Sequence, residues 1–102
     1  MTFADFLAST AGDSSPPSRL SQELAAMWHD RRGDWEAAHN LAQAAGGRDG
    51  AWVHAYLHRK EGDEGNAAYW YRSAGRPETT NSLAEEWENI TRVLLSETKS
   101  GK

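Results

Sequence analysis

The middle of the chain repeats itself at an offset of 29 residues. Residues 18–46 laid over 47–75 coincide without a gap at Arg19/Arg48, Ala26/Ala55, His29/His58, Gly33/Gly62, Asp34/Asp63, Ala38/Ala67, Ala45/Ala74 and Gly46/Gly75. A period of this size is that of stacked helical hairpins, so it restricts the chain to an all-α fold. The apolar spacing agrees. Leu20, Leu24, Met27 and Trp28 fall on one face of a helix predicted over 18–31. Gly33-Asp34 ends that helix and caps the next, 35–45, because glycine accepts a left-handed backbone and the Asp oxygen can receive the free N–H groups of a new turn. The second copy predicts a helix over 50–61, with Asp49 as its N-cap, then Gly62-Asp63 and a helix over 64–74. The inward stripe Ala38, Leu41, Ala42, Ala45 recurs as Ala67, Trp70, Tyr71, Ala74. Beyond Gly75-Arg76-Pro77, the capping box Ser82-x-x-Glu85 opens a fifth amphipathic helix carrying Leu83, Trp87, Ile90 and Leu94. A lone terminal helix of this kind is expected to close the last hairpin. Period-two alternation is absent, so no strand is expected.

The expected organisation is an N-terminal arm and loop over 1–17, a single helical-repeat domain over 18–97 and a disordered tail over 98–102. One or two helical turns at 3–9 place Phe3, Phe6 and Leu7 on one side, and the Gly/Ser/Pro-rich stretch after them reads as a loop. A chain of 102 residues buries about 65% of its unfolded surface. Five Trp residues, one on each long helix, suit a small core. The competing use for one or two of them is to line a groove. Two repeats leave an end that the Phe3–Leu7 arm or a second copy of the chain must cover, so a homo-oligomer is one expected state.

A net charge of −4 argues against nucleic acid as a partner. With no Cys, disulfides and thiolate chemistry are excluded. The start of the chain lacks the basic and apolar regions of a secretory signal, and no stretch approaches the ~20 apolar residues of a membrane span. A cytoplasmic location with no membrane partner is the expectation.

The run Gly62-Asp63-Glu64-Gly65-Asn66-Ala67-Ala68-Tyr69-Trp70-Tyr71-Arg72-Ser73-Ala74-Gly75 resembles the second helix of a Sel1-like or tetratricopeptide repeat, and Gly33 to Gly46 resembles it more weakly. The first helices depart from that pattern. Val53-His54-Ala55-Tyr56-Leu57-His58 stands where Leu-Gly-x-x-Tyr belongs, and 29 residues is shorter than the about 34 of a tetratricopeptide repeat. The strings Trp28–Trp35 and His54–Asp63 also look like a group of short uncharacterised bacterial and fungal proteins, a resemblance that covers roughly residues 20–95 and implies no activity.

The third long helix holds the constellation most like a site. At 100° per residue, His54, His58 and Glu61 fall within about 60° of one another. Two His four residues apart can chelate one metal ion, zinc or another divalent ion, with Glu61 as third ligand or base and His39 as the only further His in reach. His29 is the repeat partner of His58 and sits a helix width away, about 10 Å, too far to share an ion. The competing account is a polar face of helical pairs, His58 with Glu61 above all. His58-Arg59-Lys60-Glu61 also reads as an anion clamp. Arg31 and Arg32 recur before the first Gly-Asp turn, and helix-end charge compensation explains both runs. No nucleophile elbow or phosphate loop is present, so binding is expected rather than catalysis. The leading expectation is a protein- or peptide-binding scaffold using Tyr56, Arg59, Lys60, Tyr69 and Arg72. The alternative is a small metal- or anion-binding protein, enzyme or not, built on His54, His58, Glu61 and His39.

Overall fold

In a computed structural model the described chain is all-helical. Residues 1–100 are described, their side chains as far as Glu97. The helices are α1 (Phe3–Gly12), α2 (Gln22–Arg31), α3 (Trp35–Ala45), α4 (Gly47–Lys60), α5 (Glu64–Ala74) and α6 (Leu83–Ser100). No strand occurs among the described residues. The side chains of the expected tail over 98–102 lie outside those described.

The Gly-Asp turns form as the sequence predicts, and they form alike. Gly33 N–H donates to Asp30 O at 2.9 Å and Asp34 N–H to His29 O at 2.9 Å. Their counterparts are Gly62 N–H to Arg59 O at 3.0 Å and Asp63 N–H to His58 O at 2.9 Å. Both glycines take a left-handed φ, +85° and +89°, which a side chain would disfavour. Each Asp then caps the next helix: Asp34 accepts from Ala37 N–H at 3.1 Å and Asp63 from Asn66 N–H at 3.3 Å. The Ser82/Glu85 capping box is also present, with reciprocal bonds of 3.0 and 3.1 Å.

Three boundaries differ from expectation. Arg19 has a left-handed φ of 71°, which interrupts any helix there, so α2 starts at Gln22 under a Ser21 cap. Gly46, with φ 64°, turns the chain directly into α4, so Asp49 lies in that helix's first turn instead of capping it. The N-terminal turns extend into a ten-residue helix because Thr2 and Asp5 form a capping box of their own.

α2 packs on α3, α3 on α4 and α4 on α5. α6 lies across α2 and α4, so it covers the first helices of both pairs rather than the end of the last one. α1 seats against α2 and α6. Phe6 is completely buried there and packs on Trp87, ring centroids 6.1 Å apart. Burying a side chain of that size contributes about 1.5–3 kcal/mol. Trp87 also donates its indole N–H to Met27 O at 3.0 Å, and Trp28 donates to Ser9 Oγ at 3.1 Å, so the α1–α2–α6 junction is stitched as well as packed. No described helix is long and apolar enough to cross a membrane.

One close approach sets the relation between α3 and α4. A Cβ on Gly50 would stand 2.9 Å from Ala42 O and 3.3 Å from Ala45 Cβ. Only glycine lets the start of α4 lie this close to the end of α3. Because the chain reverses at Gly46-Gly47, residues further back along α3 then face residues further on along α4.

Candidate metal centre

That reversal brings His39 of α3 against His54 and His58 of α4. His39 Nε2 and His54 Nε2 are 2.9 Å apart. One ligand nitrogen from each of the three rings lies within 4.8 Å of the others. The ring centroids are 4.6 Å (His39–His54), 5.4 Å (His39–His58) and 4.8 Å (His54–His58) apart. Three imidazoles on one tetrahedral zinc, with Zn–N near 2.0–2.1 Å, would place nitrogens about 3.3 Å and centroids about 5.2 Å apart. The ring centroids bracket that spacing, while the 2.9 Å between His39 and His54 Nε2 is a hydrogen bond that an ion would have to open by a few tenths of an ångström.

Two tryptophans clamp the set. Trp35 stacks on His39 with centroids 4.8 Å apart and planes 11° from parallel. Trp70 stacks on His54 at 4.1 Å and 15°. Trp35 is itself fixed by donating its indole N–H to Leu57 O at 2.9 Å. The rings of His54 and His58 lie 20° from parallel, and His39 meets both nearly edge-on, at 82° and 78°. Stacking on both sides removes rotamer freedom that a ligand would otherwise have to freeze.

The environment favours the uncharged form of His54 and His39. Burial first, then the neighbouring His39 and His58 rings, pull His54 down to about 4. Burial and His58 also lower His39, against the opposing pull of Glu61 and Glu36. A neutral imidazole is the form that ligates a metal. Glu61 is not turned toward the other rings. Its carboxylate accepts from His58 Nδ1 at 2.8 Å; in a neutral ring that bond selects the tautomer with a lone pair on Nε2. A carboxylate behind a ligating histidine is the usual orienting arrangement at metal sites. Glu61 and Asp63 also make a second, more exposed group with His58.

The remaining candidates lie elsewhere. Tyr56 is buried and donates its hydroxyl to Asp30 Oδ2 at 2.8 Å, and Lys60 Nζ donates to the other oxygen of the same carboxylate at 2.8 Å. Arg59 donates to Glu86 Oε1 at 2.7 Å, and to Asn81 O, while Tyr71 donates to Glu86 Oε2 at 2.5 Å. Burial, and next the adjoining carboxylate, hold both phenols far above their ordinary range. Arg59 borders one surface cavity of about 350 Å³; Tyr56 and Lys60 border another of about 310 Å³. Tyr69 and Arg72 face solvent on α5. Arg31 lies over the Trp87 ring, and Arg32 lies over Trp28 and bonds Asp13 O. His29 packs beside Trp28, apart from the other three histidines. Local spacing does not mark Asp30 and Glu86 as buried acceptors, since their partners come from other helices. The Trp35–His39 spacing of four residues was a readable sign of a ring pair, though not of a clamp.

Among known proteins, no family model, no curated protein and no solved structure matches this chain. What the fold and the site define is a small all-helical protein with three clustered histidines, two of them stacked on tryptophans.

Proposed function

We propose that the protein binds one divalent transition-metal ion, zinc foremost, through His39, His54 and His58. The observation that carries this reading is the convergence of three imidazole nitrogens from two helices within 4.8 Å. Packing alone is a poor reason to gather them, because a half-buried ring with two polar nitrogens is costlier to bury than an apolar one unless both are satisfied. Imidazole donors suit zinc, copper, nickel and cobalt, whereas calcium and magnesium require oxygen. The carboxylate behind His58 and the two indole clamps are what a ligand set needs to hold its geometry before the ion arrives.

The test is equilibrium dialysis of untagged protein against zinc, with bound metal counted by mass spectrometry. One ion per chain is expected, falling to background in His39→Ala and His54→Ala. Zinc retained by both variants, or absent from the parent protein at micromolar free metal, sinks the proposal. A peptide-binding role draws its support from Tyr69 and Arg72, the expected contacts left uncommitted on the surface. Tyr69 is 52% exposed and packs edge-on against Trp70, 5.0 Å between centroids, so such a surface would adjoin the histidines.

A further inference from the structure

We infer that the metal ion held by His39, His54 and His58 keeps a coordination position that no side chain of this chain fills, and that this position takes a small anion with an oxygen or nitrogen donor. The inference rests on the metal-binding reading above and adds what the ion does next.

The donor census comes first. Among the described residues, the group around His39 contains three nitrogens and no carboxylate, and the chain has no cysteine. Zinc and cobalt take at least four donors. The nearest acidic side chain, Glu61, is committed to Nδ1 of His58, behind the ring and away from the ligating edge. No described side chain supplies the fourth donor, which leaves that position to an external ligand.

The fold points the same way. Structural zinc sites are closed by four protein ligands and supply folding energy; open three-ligand sites are those that bind exchangeable groups. Here the helices are held by an apolar core that includes Phe6, Leu24, Met27, Trp28, Leu57 and Ile90. His39 and His58 are partly exposed rather than sealed, while His54 is buried.

Charge sets the kind of ligand. Three neutral imidazoles leave both positive charges of the ion uncompensated. Glu36 and Glu61 stand within electrostatic reach of His39, but neither belongs to the three-histidine group. In a half-buried site of low effective dielectric, an anion at the open position removes a charge that water cannot screen as well. Hydroxide and carboxylate have that chemistry, and azide is the probe for it.

The experiment uses wild-type protein loaded with cobalt(II), whose visible absorption reports coordination. Cobalt bound through the three histidines gives a spectrum that His54→Gln abolishes. Titration with sodium azide is expected to change that spectrum saturably, with one azide per cobalt. A histidine-dependent cobalt spectrum that azide leaves unaltered means a closed sphere; it overturns this inference and leaves metal binding standing. A protein that binds no cobalt overturns both. Glu61→Gln supplies a second reading: cobalt affinity falls about 10–100-fold while the azide response of the loaded protein is kept.

Discussion

α4 carries two polar faces, and they are built on opposite principles. On one, Tyr56, Arg59 and Lys60 each meet a carboxylate: Asp30 takes a phenol and an ammonium, and Glu86 takes a phenol and a guanidinium. Every charge there has its opposite, so the face is a fastener joining α4 to α2, α5 and α6. On the other, His54 and His58 meet a third imidazole and two indoles, with one carboxylate set behind the set rather than in it. The polar contacts of that face run from ring to ring between His39 and His54, and from His58 to Glu61. A cluster of opposite charges needs no ligand, whereas three imidazoles gathered in one place can exchange their ring-to-ring hydrogen bond for a cation.

The fastener should give the largest effect. Glu86→Ala leaves the Arg59 guanidinium and the Tyr71 hydroxyl without their acceptor, and removing one member of a buried pair costs about 3–5 kcal/mol. In a domain whose whole stability is of order 5–15 kcal/mol, urea unfolding should show this as a large drop in midpoint. His54→Gln should change the metal-free midpoint far less and abolish zinc binding. Equal losses from both variants would erase the distinction between the two faces.

Gly50 tests whether the histidine face depends on helix approach. Gly50→Ala puts a methyl 2.9 Å from Ala42 O, backbone that cannot swing away. A loss of about 1–3 kcal/mol is expected, together with weaker zinc binding as α3 and α4 separate. Gly65 in α5 is the control, because its added Cβ meets nothing within 4 Å. Gly65→Ala should leave zinc affinity unchanged and raise stability by up to about 1 kcal/mol. Parallel losses in the two variants would mean that close approach at Gly50 has no special part.

The two faces were unequally legible in the sequence. The helices, the Gly-Asp turns and the Ser82 capping box follow from local spacing, because the interactions that make them span three or four residues. His54, His58 and Glu61 were readable as one helix face for the same reason. The convergence of His39 was not, since it depends on the tight α3–α4 turn and on Gly50, a contact between helices. Tyr56, Arg59 and Lys60 resembled a binding strip because their carboxylates lie 26 to 30 residues away in the chain. The repeat itself marks the site by failing there. Ala25 stands in the first copy where the second has His54, Ala68 in the second where the first has His39, and Arg32 in the first where the second has Glu61, so the histidine cluster is assembled largely from positions at which the copies differ.

Acid should separate the faces by a smaller amount. His54 is pulled down to about 4 in the folded protein from 6.5, so between those values the unfolded chain binds a proton that the folded chain refuses. Stability is then fully present above pH 6.5 and is lost as pH falls toward 4. His39 is shifted in the same direction. Carboxylates titrate nearby, so the informative quantity is a difference. Metal-free wild type should lose more stability than His54→Gln between pH 6.5 and 4, and identical pH profiles would show that the ring is not held neutral.

The smallest expected effect tests the criterion that separates the faces. Thr91 on α6 is completely buried, and its hydroxyl has no hydrogen-bond partner. It is uncompensated, but a lone hydroxyl amid apolar packing offers one weak donor and no convergent set. On this reasoning it is an ordinary defect. Thr91→Val keeps the shape and removes the orphaned group, so it should be neutral or stabilising by up to about 1 kcal/mol, with zinc binding untouched. A destabilised Thr91→Val protein would show that the hydroxyl has a partner after all. An altered zinc affinity would show that α6 reaches the histidines, and the line between fastener and ligand set would have to be drawn through α6 as well as α4.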